Sequence, residues 1–333
     1  MDNIEFNRPK RDAKTAAAAT SSTLLSSPAT TLPEVCDPQP FLSALRQCAP
    51  QAVIFTVTDP QHCDMMAGAT LDRPAAAVCR AQTVSEVIRS VNSATDLTAA
   101  EIVDLMSKLS VSAEQIESVE CNTRLQHQNP LWGQYRAGRL TASKFGAVIK
   151  CMEANRKPSP SLMKTLLGGY NAAGAKAIQW GTLHERTALA KYEAETGNLV
   201  KPSGLWLHQL GFCGASPDGV VDDIKTVEVK CPYSVRDKNV MDCIGAKFFL
   251  HLNTDESLEL NHKHPQGHSY YHQIQGNLWL TGRAVCDLVV WTPCSTVILR
   301  VERDDQYEMK YFDKLKQFYQ EYFLPAYIKH NGS

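Results

Sequence analysis

The chain has 333 residues, of which 44% are hydrophobic and 21% charged, and its formal net charge is −1. This composition is ordinary for a globular protein, and the length allows one large domain or two small ones. A membrane-spanning protein is not expected, because no apolar run approaches the roughly 20 residues that a bilayer crossing needs.

The cysteines and the N-terminus indicate an intracellular protein. Eleven cysteines are scattered without a Cys-x-x-Cys pair, and the polar N-terminus has no signal-peptide core. Reduced thiols are therefore expected. The short basic run Arg8–Arg11 leaves a nuclear location open, although such a run also simply solvates a tail.

Residues 1–121 precede any recognisable motif. Residues 1–35 are rich in Ala, Ser, Thr and Pro, a composition that cannot bury a core and predicts disorder. Residues 36–121 are poorly defined, with a possible strand at 53–57 and a helix at 84–94. Two helices follow, each introduced by a capping-box pattern, at Thr98–Glu101 and Ser112–Gln115. They predict an N-terminal helical extension of the next domain.

Residues 122–330 alternate between helical and strand-like patterns. The order predicts an α/β fold in which a mixed central β-sheet is flanked by helices. The expected helices span residues 141–152, 175–196, 270–280 and 304–323, and the expected strands span residues 199–208, 213–221, 226–232, 284–292 and 296–303.

The segment from Gly211 to Cys231 carries the chemistry. Asp218 lies in a Ser-Pro-Asp-Gly turn, and Glu228 and Lys230 follow in a β-rich run. Side chains two apart on a strand share a face, and the turn can bring Asp218 to that face. Carboxylates suit Mg²⁺, and a neighbouring lysine can orient or deprotonate water. The same residues are also typical of an ordinary turn and an exposed strand pair.

Charge is distributed unevenly along the chain. Residues 122–250 carry seventeen Lys and Arg against ten Asp and Glu, whereas residues 1–121 carry nine against fifteen. A basic stretch around an acidic centre fits a groove for a polyanion with a metal at its floor. A solvated helical face would produce the same pattern.

Further motifs lie on either side of this segment. Before it come Trp132, four residues ahead of Arg136, then Arg-Leu-Thr-Ala-Ser at 139–143 and Gly-x-x-x-Glu ending at Glu185. After it comes Tyr-x-x-Gln-x-Gln at 270–275. Together with Ser-Pro-Asp-Gly and Val-Glu-Val-Lys, they resemble the PD-(D/E)xK nucleases, in particular the phage lambda exonuclease and YqaJ-type viral recombinase branch. The resemblance covers residues 126–327 and implies a restriction-endonuclease-like core.

The resemblance also implies a catalytic centre and a cofactor. Glu185, Asp218, Glu228 and Lys230 match the catalytic positions. The metal ligands would be Asp218, Glu228, the backbone carbonyl of Val229, and Glu185. They would hold Mg²⁺ or Mn²⁺, with two ions per site. DNA is the expected partner, and a ring-like trimer is suggested by the resemblance alone.

A second set of matching positions implies a pocket for a terminal 5′-phosphate. Arginine grips phosphate with a planar fork, and hydroxyl and amide groups supply further donors. The residues at these positions are Arg136, Ser143, Ser216, Arg236 and Gln273. Taken singly, each is more commonly a structural or solvated residue.

The resulting hypothesis is a metal-dependent DNA nuclease, most like a 5′-to-3′ exonuclease of recombination, repair or mobile-element origin. An endonuclease or resolvase on the same core, and a catalytically inert DNA-binding module, remain alternatives. A histidine cluster near Cys243 raises a zinc site as a rival, although its spacing fits no familiar zinc motif. Its members, His262, His264, His268 and His272, are instead predicted to face DNA from a loop or to be exposed.

Overall fold

The computed structural model describes residues 80–90, 97–168 and 176–331. The expected disordered tail and the expected strand at residues 53–57 lie outside this part. The helices are α1 Val84–Ser90, α2 Ala99–Leu109, α3 Ala113–Asn122, α4 Pro130–Arg136, α5 Ala142–Glu153, α6 Pro160–Leu166, α7 Lys176–Thr196, α8 Pro265–Thr281, α9 Tyr307–Phe318 and α10 Leu324–Asn331. A π-helical turn, Tyr319–Phe323, joins the last two.

The strands form an α/β arrangement with mixed pairing, which confirms the predicted fold class. They are β1 Leu140–Thr141, β2 Trp206–Leu207, β3 Cys213–Ala215, β4 Gly219–Val220, β5 Lys225–Lys230, β6 Leu250–Leu252, β7 Leu258–Leu260, β8 Val285–Thr292 and β9 Ser295–Glu302. The main sheet has the order β4-β5-β8-β9, in which β5 and β8 are parallel and the outer pairs antiparallel. A second sheet has the order β1-β3-β2, and β6 pairs with β7.

The predicted extension helices are confirmed, together with their caps. Thr98 accepts from the backbone of Glu101, whose side chain returns to Thr98, and Ser112 and Gln115 form the same reciprocal pair. Each cap satisfies donors that a helix start would otherwise leave open. Leu105, at the buried face of α2, packs into a hydrophobic core that also contains Phe145 and Phe212.

Two predicted strands are shorter than the apolar pattern suggests. Within residues 199–208, only Trp206–Leu207 is a strand, while Lys201 makes an isolated bridge to Val220. The predicted strand at 213–221 is interrupted by the turn at residues 216–218 and continues as β4. Proline offers no N–H to a strand ladder, and Pro202 and Pro217 stand in these two segments.

Helix α8 crosses from β5 to β8 and lies tightly against α5. A side chain at Gly276 would approach Phe145 to 2.8 Å and Ala142 to 2.9 Å, and one at Gly146 would lie 3.0 Å from the Cα of Ser269. Glycine therefore permits a close contact between the two helices. This contact sets the position of the α8 face that meets β5. In the described part of the chain, no helix combines the length and hydrophobicity required to span a bilayer.

Candidate active site

Glu228, at the middle of β5, is held by three donors. Its Oε1 accepts from Lys230 Nζ at 2.6 Å and from Gln273 Nε2 at 2.6 Å, while Oε2 accepts from Asn277 Nδ2 at 2.8 Å. The residue is only 1% exposed. A buried carboxylate is costly unless it is paired and hydrogen-bonded. The contacts from β5 and α8 therefore hold this acid in a defined orientation.

Lys230 lies beside Glu228 on the same face of β5, as the period of two predicts. Its Nζ also donates to Gln273 Oε1 at 3.3 Å and lies 4.8 Å from the centre of the Tyr270 ring. Burial lowers the pKa of this ammonium, but the nearby Glu228 and Asp218 carboxylates outweigh burial and hold its pKa above the ordinary value. Lys230 is therefore a fixed positive charge in this arrangement.

Asp218 reaches the same place from the turn before β4. Its Oδ2 accepts from the backbone N–H of Val229 at 2.7 Å, so the turn is tied to the centre of β5. Burial, followed by repulsion from Glu228 and Glu185, raises the pKa of Asp218 well above its usual range. The predicted delivery of this acid to the strand face is confirmed.

Glu185 approaches from α7 and completes the acidic group. Burial and then the Glu228 carboxylate raise its pKa, while His127 and Lys230 act in the opposite direction. A cavity of about 390 Å³ brings the four predicted catalytic residues together with Val229, Tyr270 and Gln273 along one wall. The three carboxylates therefore face one space from α7, a turn and β5.

The donor set suits a divalent cation. Burial, and then repulsion between neighbouring carboxylates, raise the pKa values of Asp218 and Glu185, and a bound cation would favour their charged forms. Among the described residues, no group of three or more His, Cys, Asp or Glu side chains is placed to hold a metal ion without further ligands. Mg²⁺ keeps several of its waters and needs only one or two carboxylates from the protein, so an open acidic cavity fits it.

Two of the five residues predicted to bind phosphate belong to a chain of contacts around Trp132. The guanidinium carbon of Arg136 lies 3.8 Å from the Trp132 ring centre, and Trp132 Nε1 donates to Ser216 Oγ at 2.9 Å. Burial lowers the pKa of Arg136 to about 10, and burial followed by the Arg136 charge lowers the pKa of Lys144. We call Trp132, Arg136, Lys144 and Ser216 the Arg136 cluster.

The Arg136 cluster has the character of an anion site. No hydrogen bond or ion pair from the Arg136 side chain occurs within the described residues. Arg136, which is stacked on an indole, and Lys144, in the first turn of α5, form no ion pair with an acid among the described residues. Ser143, the residue before Lys144, is exposed, and its hydroxyl lies 3.2 Å from that of Thr141.

Arg236 and Gln273, which were also predicted to bind phosphate, make their contacts outside the Arg136 cluster. Arg236 stacks on Tyr233 at 4.3 Å, donates to the Tyr233 carbonyl at 2.9 Å and pairs with Asp237 at 3.2 Å. Gln273 bridges Glu228 and Lys230, as described above. No hydrogen bond among the described residues joins either side chain to the Arg136 cluster, so a single five-residue phosphate pocket stays a prediction.

The histidine cluster does not behave as predicted at His272. This residue is on α8, only 3% exposed, and its Nδ1 lies 3.0 Å from the Tyr307 hydroxyl. The prediction of an exposed or loop histidine is therefore wrong at this position. His268 packs against His272 with ring centres 4.6 Å apart. Burial is the largest influence on His272 and lowers the pKa of its ring.

Asn277 is a site residue that the sequence argument missed. It follows Gln273 by four residues, and positions four apart on a helix share a face. The four-residue spacing between Gln273 and Asn277 could therefore have indicated that Asn277 lies on the same face of the helix. An asparagine in an apolar helical segment is not by itself diagnostic, because its partner Glu228 is 49 residues away.

Known proteins are similar to the part of the chain that contains these site residues. Residues 131–284 match the YqaJ-like viral recombinase domain family. An alkaline nuclease of Orgyia pseudotsugata multicapsid polyhedrosis virus is 28% identical over 217 residues, covering 59% of this chain and 48% of the relative. The chain thus matches about half the length of that relative.

Two solved structures are also similar to a large part of this chain. An alkaline exonuclease from Laribacter hongkongensis is 28% identical, with a TM-score of 0.43, over 60% of this chain and 94% of that protein. The shutoff and exonuclease protein of Kaposi's sarcoma-associated herpesvirus is 13% identical, with a TM-score of 0.43, over 74% and 80%. The family match spans α4 to α8 and contains Glu185, Asp218, Glu228 and Lys230. The part of the chain that contains these four residues is therefore similar to the YqaJ-like viral recombinase domain family.

Proposed function

We propose that the chain is a Mg²⁺-dependent deoxyribonuclease, most like a 5′-to-3′ exonuclease on linear duplex DNA in recombination, repair or mobile-element biology. One observation carries the proposal: Glu185 from α7, Asp218 from the turn before β4, and Glu228 and Lys230 from β5 line one cavity. All four lie within the stretch that matches the YqaJ-like domain. The alkaline nuclease and exonuclease relatives support the same reaction class.

The proposed metal ligands are Asp218, Glu228, Glu185 and the Val229 carbonyl. When bound, Mg²⁺ or Mn²⁺ supplies charge relief at the phosphate and lowers the pKa of water. The chain's contribution is to hold the carboxylates in place. The Val229 N–H restrains Asp218, and the amides of Gln273 and Asn277 restrain Glu228.

Lys230 has a separate role in this proposal. Because Glu228 and Asp218 keep it protonated, it places a positive charge at the cavity wall without a metal. A charge fixed there before the reaction stabilises negative charge that develops on the phosphate. Tyr270 and Gln273 restrict where that charge can move.

Recognition of a DNA end is supported by the Arg136 cluster. A terminal phosphate carries more negative charge than an internal diester, and it would meet Arg136 and Lys144, which have no acidic partner within the described part of the chain. Ser216 lies two residues before Asp218, so the cluster is connected along the chain to the catalytic turn. This arrangement favours an exonuclease over an endonuclease.

Digestion of end-labelled linear duplex and closed circular duplex with Mg²⁺ tests the proposal. We expect degradation of linear DNA and no nicking of circles. Nicked circles would indicate an endonuclease or resolvase. Binding of duplex without cleavage of either form would indicate an inert module and would overturn the proposed activity.

A further inference from the structure

A second cavity adjoins the catalytic one. It has a volume of about 430 Å³, and it shares Glu185 and Asp218 with the catalytic cavity. Along α7, Gly181 and Thr182 face the catalytic cavity, whereas Arg186 and Leu189 face the second. Glu185 stands between the two groups. A ligand in the second cavity would therefore touch the same carboxylates that face the catalytic space.

One wall of this cavity is a strained turn outside the YqaJ-like match. Leu125 and Gln126 have φ values of 69° and 45°, a conformation that side chains other than glycine rarely adopt. Gln126 Nε2 donates to the Pro217 carbonyl at 2.7 Å and to the Ser203 carbonyl at 3.2 Å. Pro217 precedes Asp218. The strained turn is thus fastened directly to the catalytic turn, and such strain persists only where surrounding contacts impose it.

The cavity presents three basic side chains. His127, Arg186 and Lys201 line it and are exposed. Within the described residues, the side chains of Arg186 and Lys201 make no hydrogen bond or ion pair. His127 acts electrostatically on Glu185 and opposes the rise in its pKa.

The acidic side chains that line the cavity already have partners or a proposed catalytic role. Glu193 accepts from the backbone N–H of Val200 at 2.7 Å, and Glu185 and Asp218 belong to the catalytic group. Arg186, Lys201 and the imidazole of His127 are thus available to an anionic ligand. That ligand must be small enough to enter a cavity continuous with the catalytic carboxylates.

We propose that this cavity is a subsite for the backbone phosphate next to the scissile one, with His127, Arg186 and Lys201 as its contacts. The inference rests on the proposed nuclease activity and adds a substrate-positioning surface to it. Neighbouring phosphates belong to one continuous strand. A strand whose scissile phosphate meets Glu185 and Asp218 therefore continues into the adjoining cavity.

The test compares two substrates. The double variant Arg186→Gln/Lys201→Gln and the single variant His127→Ala are assayed on 5′-phosphorylated linear duplex and on thymidine 5′-(p-nitrophenyl phosphate). The second substrate has one phosphodiester and no neighbouring phosphate. For duplex, we expect KM to rise by roughly tenfold for each of these side chains removed, with little change in kcat. Hydrolysis of the nitrophenyl ester should not change.

Salt dependence is a second readout that does not need the ester. Each phosphate contact that is lost should reduce the slope of log KM against log salt by about one. Lys191→Gln is the matched control, because Lys191 is an exposed cation on α7 that pairs with Glu195 and does not line the cavity. Melting temperatures of all variants check that folding is intact.

The outcomes separate the two proposals. A parent protein that cleaves neither substrate would overturn the nuclease assignment and the subsite with it. An active parent whose variants keep the parental KM and salt slope on duplex would overturn the subsite alone. Equal losses on both substrates would assign these side chains to the catalytic step and would also overturn it.

Discussion

Asn277 donates from its side-chain amide to Glu228 Oε2 at 2.8 Å, across the interface between helix α8 and strand β5. One turn earlier on the same helix, Gln273 donates to Oε1 of the same carboxylate. The two amides therefore hold the carboxylate from both oxygens. The orientation of the acid depends on α8 as well as on its own strand.

Replacing Asn277 by Ala should slow cleavage about tenfold. A hydrogen bond to a charged group is worth about 1.5–3 kcal/mol, and its loss would leave Oε2 of a buried carboxylate without this donor. Single-turnover rates on linear duplex measure the effect, and a melting curve reports the stability loss. Gln266→Ala, at an exposed position on α8, is the control. A rate equal to that of the parent would show that Asn277 does not position Glu228.

Asp218→Asn and Glu228→Gln should each abolish cleavage while leaving folding and DNA binding largely intact. Each change removes the charge of a proposed metal ligand with almost no change in volume. Cleavage by the parent should also stop on addition of EDTA and return with excess Mg²⁺. Asp223→Asn, an exposed acid before β5, controls for general charge loss. Near-normal Mg²⁺-dependent cleavage by either site variant would remove that residue from the proposed ligand set.

Lys230→Met should reduce the single-turnover rate by several orders of magnitude, with a weaker effect on DNA affinity. The reason is that Lys230 Nζ is the charge that Glu228 and Asp218 hold at the cavity wall. Quenched-flow cleavage and fluorescence anisotropy measure the two quantities separately. Lys238→Met, which removes an exposed lysine beyond the strand, should leave both unchanged. Lost affinity with an unchanged rate would make Lys230 a phosphate anchor instead.

Linear duplex with 5′-phosphate ends should be degraded roughly tenfold faster than the same duplex with 5′-hydroxyl ends. A terminal phosphate gives charge-assisted contacts to Arg136, which has no acidic partner among the described residues, and a hydroxyl gives none. Arg136→Ala should remove most of this preference. The distal exposed Arg156→Ala should retain it.

The same assay separates the two predicted arginines. Arg236 stacks on Tyr233 and pairs with Asp237, so Arg236→Ala should reduce the preference less than Arg136→Ala does. Equal parental rates on the two end types would refute the terminal-phosphate pocket and favour the endonuclease alternative.

Local patterns in the sequence correctly predicted several helices and strands, including those that carry Glu185, Glu228 and Lys230. The capping boxes at Thr98 and Ser112, the period-two face of Glu228 and Lys230, and the helix bearing Glu185 are all confirmed. These features depend on residues that are close in the chain. The strand predicted at residues 199–208 was wrong over most of its length, because apolar content does not by itself select a pairing partner.

The sequence by itself determined which acids and cations the protein has, and which local elements present them. Tertiary structure decided which of them meet. Gln273 joins Glu228 across 45 residues of chain, and Gln126 reaches the catalytic turn across 91. Both contacts depend on how helices and turns pack against the strands. Such packing is set by the shape of the whole core, and a short sequence motif contains no information about it.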